Sequence, residues 1–105
     1  MTNQSKNKEI AETIFRQIGA NRLAVMIGIK QKSIIESGLD IKFKARAKNK
    51  AKGLQIILKG DDTYTMRFYS IIKLNVIERG TYEGIYADSL LDVFENETGL
   101  ATRLN

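Results

Sequence analysis

Residues 39–47 alternate without a break: Leu39, Ile41, Phe43 and Ala45 fall on one side, and Asp40, Lys42, Lys44 and Arg46 on the other. A period of two belongs to an extended strand whose apolar side meets a core and whose polar side meets water. This stretch commits the chain to a sheet with one covered face, and the rest of the sequence must supply the cover. The spacing of cations continues past the apolar partners through Lys48, Lys50 and Lys52. Six basic residues two apart predict a cationic stripe along one side of an extended ribbon.

The cover comes from the two ends. Ile10, Ala11, Ile14, Phe15 and Ile18 recur at helical spacing from about Lys8, and Gly19 follows where a left-handed cap ends a helix. Tyr86, Ala87, Leu90, Leu91 and Phe94 form a second apolar stripe, in a helix expected over 85–98 with Gly99 as its cap and Leu100 folding back. Between them, the apolar run 23–29 reads as a buried strand, with a buried helical continuation as the competing reading. A loop is expected through 33–38, a strand over 54–59, a turn at 60–62 and a strand over 63–70. Residues 71–77 either extend that strand or form another short one, and Arg79-Gly80 ends the stretch.

The order α-β-β-β-β-α with hairpin-length connections predicts an α+β two-layer sandwich, an antiparallel four-stranded meander flanked by N- and C-terminal helices. With 105 residues there is room for one domain, expected over 8–105 after a polar, disordered tail at 1–7.

Composition removes whole classes of chemistry. Cysteine and histidine are absent, which excludes disulfide scaffolds, zinc fingers, thiol nucleophiles and imidazole bases. No Gly-rich phosphate loop or Ser-x-x-Lys motif occurs, and Asp61-Asp62 reads as a pair of turn formers rather than metal ligands. The expectation is a non-enzymatic protein with no catalytic residues, no metal and no cofactor. No apolar run reaches bilayer length and the N-terminus lacks a secretory stretch, so the expected location is cytoplasmic, without a membrane partner.

Charge is distributed unevenly. Residues 30–60 carry nine basic groups against Glu36 and Asp40, a net of +7, whereas residues 61–105 carry a net of −4. Either the halves neutralise each other or the basic segment faces an acidic partner. The candidate nucleic-acid-binding residues are Lys42, Lys44, Arg46, Lys48, Lys50 and Lys52, joined by Lys59, Arg67 and Tyr69 if the strands pair as simple hairpins. Cations suit a phosphate backbone, and the Tyr69 ring would offer a base a stacking platform. Lysine exceeds arginine, which favours backbone contact over base reading. The competing reading is a solvated strand face that deters edge pairing. A different partner, a host protein, would be served by Asp88, Asp92 and Glu95, spaced i, i+4 and i+7 on the C-terminal helix.

Several stretches resemble a group of small phage and mobile-element open reading frames. They are Ile18-Gly19-Ala20-Asn21-Arg22, Met26-Ile27-Gly28-Ile29-Lys30, Leu39-Asp40-Ile41-Lys42-Phe43-Lys44 and Ala47-Lys48-Asn49. The series continues with Asp62-Thr63-Tyr64 ahead of Arg67-Phe68, Gly84-Ile85-Tyr86-Ala87-Asp88 with Leu91 and Phe94, and Thr98-Gly99-Leu100. The resemblance covers about residues 14–100 and implies an accessory protein of such an element, with no catalytic residues. The function expected is non-sequence-specific nucleic-acid binding through the basic strand face. The alternative is an inhibitor that occupies the surface of a host protein, for example a defence nuclease, as anti-CRISPR proteins do.

Overall fold

The first part of the alternating segment forms a strand, one in from the edge of the sheet it predicts. A computed structural model describes residues 2–19 and 27–100. Helix α1 spans Thr2–Gln17, and five strands follow: β1 Ile29–Ile35, β2 Gly38–Phe43, β3 Gly53–Leu58, β4 Tyr64–Ile72 and β5 Asn75–Ile85. A 3-10 turn, Ala87–Ser89, leads into helix α2, Leu90–Thr98. The sheet is an antiparallel meander in the order β1-β2-β3-β4-β5. Among the described residues, no helix is long and apolar enough to cross a membrane.

Both helices lie on the face predicted to be apolar. Leu39, Ile41 and Phe43 of β2 are buried with Leu54, Ile56, Met66 and Phe68 of the next two strands, against Ala11 and Ile14 of α1, Ile18 just beyond its end, and Leu90 and Phe94 of α2. Phe94 is the hub: its ring meets Phe43 edge-on at 5.6 Å between centroids and Phe68 at 6.3 Å. Aromatic groups of this kind add binding energy beyond their buried area. Both caps stand where the glycines put them. Gly19 and Gly99 have φ of 71° and 72°, and the Gly99 N–H donates to the Glu95 carbonyl at 2.8 Å. Leu100 packs against the core behind that cap.

Five expectations need correction. The sheet has five strands rather than four, because 33–38 is not a loop: its first half completes β1. That strand exposes most of Ile29–Ile35 at the sheet edge, so it carries no clean alternation to read. Residues 71–77 are not one strand, since a turn at Lys73 and Leu74 separates β4 from β5. Both residues have positive φ, 51° and 70°, as a tight two-residue hairpin requires, but neither is the Asn or Gly that announces such a turn. Arg79-Gly80 does not end the strand, because bulges at 79–80 and 83–84 absorb the extra residues and β5 continues to Ile85. The C-terminal helix therefore starts five residues later than Ile85, and Tyr86 stands 66% exposed outside its stripe. At the other end α1 begins at Thr2 rather than Lys8, so residues of the expected tail are helical. The Asn7 side chain accepts the Ser37 N–H at 2.9 Å, tying that segment to the β1–β2 turn.

Of the strand expected over 23–29, residues 23–26 lie outside the described residues; Ile27 is buried and Ile29 opens β1.

Candidate functional site

The helices leave the other face of the sheet open, and register decides which side chains share it. One row across the strands reads Gln31, Lys42, Gly53, Tyr69, Glu78; the next reads Ser33, Asp40, Gln55, Arg67, Thr81. Cation and acid alternate along and between these rows. Asp40, 8% exposed, accepts the Tyr69 hydroxyl at 2.6 Å and the Lys42 ammonium at 3.2 Å. Arg67 donates to Glu78 at 3.4 Å. Two of the expected phosphate contacts, Lys42 and Arg67, thus already face a carboxylate.

Tyr69 is not a stacking platform. Its ring is 5% exposed and lies across Gly53, where a β-carbon would come within 2.2 Å of the ring. The missing side chain of Gly53 makes the bed in which the tyrosine lies, and Asp40 holds its hydroxyl. Burial, then the hydrogen bond and charge of Asp40, push the Tyr69 phenol far above its ordinary range, against a smaller opposing pull from Arg67. Tyr64 moves the same way through burial, and Tyr82 through its hydrogen bond to Glu97. Phenols that stay protonated in the fold but ionise in the unfolded chain stabilise below about pH 10 and lose that contribution as pH rises further. The urea midpoint is therefore expected to fall from about pH 10 upward, and Tyr69→Phe to flatten the fall. Equal falls in the two proteins would assign the loss to other groups.

The cationic spacing survives beyond the strand, but the ribbon does not. β2 ends at Phe43, and the connection 44–52 is tied down at several points. The Lys44 N–H donates to Gly28 at 2.8 Å, Lys48 to Thr98 at 2.8 Å, and Lys52 to Tyr69 at 2.8 Å. Ala47 and Ala51 are buried, while Lys44, Arg46, Lys48, Lys50 and Lys52 are exposed. The small residues seat the connection on the core and the cations fan outward, so this is a docked segment.

The fan sorts the cations. Lys42, Lys44 and Lys52 line one cleft of about 500 Å³, together with Lys30, Phe43, Tyr69 and Ile71. Lys30 was not among the sequence candidates, because the strand that carries it was not visible; it sits where the β1–β2 register shifts between Ile29 and Gln31. Among the described residues, no carboxylate lies within ion-pair distance of Lys30, Lys44 or Lys52. The Lys52 ammonium donates to the Lys44 carbonyl at 3.4 Å. Arg46, Lys48 and Lys50 do not line the cleft, and the Lys48 side chain runs along Gly99. Lys59 sits beyond the far end of β3, in the turn where Asp61 accepts the Thr63 hydroxyl at 2.6 Å and amide at 3.1 Å. Asp61 is a turn former there, and those bonds lower its pKa.

The acidic series is split between elements. Asp88 belongs to the 3-10 turn, and only Asp92 and Glu95 to α2. Asp92 and Glu95 each take part in an interaction within the chain.

Comparison with protein-family models, curated proteins and solved structures yields no match, so the geometry itself carries the functional argument.

Proposed function

We propose that this protein binds nucleic acid without sequence specificity, as a non-enzymatic accessory protein in keeping with the phage and mobile-element resemblance of its sequence. The observation that carries the reading is the convergence of Lys30, Lys44 and Lys52 on one cleft from separate segments, with no carboxylate within ion-pair distance of them among the described residues. Unpaired ammonium groups gathered in a concave site attract a phosphate backbone and release its counterions. Besides Lys42, which Asp40 holds, the remaining lining is Phe43, Ile71 and the covered ring of Tyr69, which offer no donor and acceptor pattern for reading base edges. Lysine, a compact point charge, suits phosphate better than it suits bidentate recognition of a base.

Binding to labelled single- and double-stranded oligonucleotides across a salt series tests this. Three phosphate contacts give a log–log slope of about −2.7 on duplex DNA. Absence of binding at low salt, or a slope near zero, would overturn the reading.

A further inference from the structure

The β4–β5 hairpin carries the largest exposed aliphatic group on the described surface. Ile71 is 49% exposed, Ile72 46%, Val76 57% and Leu74, at the turn, 96%. Ile71 and Val76 pair across the hairpin on the open face, while Ile72 points to the other side. Apolar groups on both faces and at the end describe an element that enters something rather than one that lies against a flat surface. Lys73 is the single charge at the tip, and no acid occurs from Ile71 to Ile77.

The turn itself sacrifices stability to present Leu74. Its φ of 70° and the 51° of Lys73 lie in the left-handed region, where leucine and lysine are strained and Asn or Gly is not. The finger is also continuous with the lysine cleft. Ile71 lines that cleft, and with Val76 it lines the adjoining hollow over Asp40 and Arg67. From Ile71 to Lys73 is two residues of extended chain, about 7 Å. A polymer whose anionic surface sits in the cleft thus has its interior beside the finger. A partner that is anionic outside and apolar within, and that admits a narrow wedge, is a nucleic acid with an unstacked base step.

We infer that the hairpin is a wedge: Leu74 inserts at a base step of the duplex whose backbone the cleft lysines hold, unstacking and bending it. The inference rests on the nucleic-acid reading above. It is tested with end-labelled duplexes whose energy transfer reports bending, using the whole protein and Leu74→Asn. The variant removes the aliphatic group and relieves the turn, so thermal stability should stay or rise. Wild-type protein should bend the duplex, most readily at a mismatch. Leu74→Asn should bind about tenfold more weakly, leave the duplex straight and keep the salt slope of the wild type.

Equal bending by both proteins, or straight duplex with both, would overturn the wedge while leaving the cleft reading intact. Failure of both to bind would overturn the two together. Two further arms identify other occupants: phosphatidylserine vesicles, and sedimentation of the protein alone. Vesicle binding or self-association that Leu74→Asn abolishes, with nucleic-acid binding unchanged, would reassign the finger to lipid or to a second copy and overturn the proposal.

Discussion

Gly38→Ala is expected to lower stability by about 3 kcal/mol, at the upper end of ordinary overpacking costs, and the melting temperature by about 15 °C. Gly38 opens β2 opposite Ile57, and a β-carbon there would lie 2.3 Å from the Ile56 carbonyl oxygen. That obstacle is backbone at the centre of the sheet, so no rotamer change removes it. Relief requires β2 and β3 to separate where Leu58 N–H donates to Ser37 at 2.8 Å and where Asn7 holds the Ser37 amide. The damage would spread to the attachment of α1. Gly60→Ala provides the control, because nothing lies within 4 Å of a β-carbon at that position; its midpoint should stay within about 0.5 kcal/mol of wild type. Denaturant melts of the three proteins check this. Similar midpoints for Gly38→Ala and Gly60→Ala would mean that the β2–β3 approach is looser than described.

The parts of the fold legible in the sequence were those buried on one face only. β2 announced itself because Leu39, Ile41 and Phe43 alternate with Asp40 and Lys42, and α1 because Ile14 and Ile18 recur at helical spacing before Gly19. β1 was hidden because an edge strand with one neighbour has little to bury, and its Lys30-Gln31-Lys32 first half looks like loop. Lys32 shows how far local polarity can mislead. It pairs with Ile41 on the helix side, and its ammonium stands 4.2 Å from the centroid of the Phe15 ring.

The candidate site was legible to the same degree. Lys42, Lys44 and Lys52 were visible as a spacing, whereas Lys30 depended on a strand no pattern revealed. Tyr69 was misjudged for a different reason. Alternation places it correctly on the open face, yet burial there depends on Gly53 standing opposite, and pairing register is a tertiary fact. Asp40 is the corresponding omission: an acid within a run of cations, whose role appears only when Tyr69 and Lys42 are brought to it.

That acid supplies the sharpest test of the cleft, because two sets of variants should move binding in opposite directions. Each phosphate contact contributes about 0.9 to the salt slope, or about eightfold in affinity at 0.1 M salt. Lys44→Glu with Lys52→Glu removes two unpaired contacts and adds repulsion, so duplex affinity should fall by about a hundredfold or more. Both side chains are exposed, so the double variant should melt like wild type. Asp40→Asn does the reverse. Its amide oxygen can still accept the Tyr69 hydroxyl, but the charge that holds Lys42 is gone. Freed, Lys42 becomes a fourth contact in the same cleft. The slope should steepen from about −2.7 to about −3.6 and affinity should rise about eightfold, even as stability slips through the weakened hydrogen bond. A surface that binds polyanions only through net charge would respond to any substitution of equal charge. Glu36→Gln, which removes the same charge from the β1–β2 turn outside the cleft, separates the two cases. A gain for Asp40→Asn alone locates the phosphate site at the cleft, and equal gains for both would dissolve it into a diffuse field.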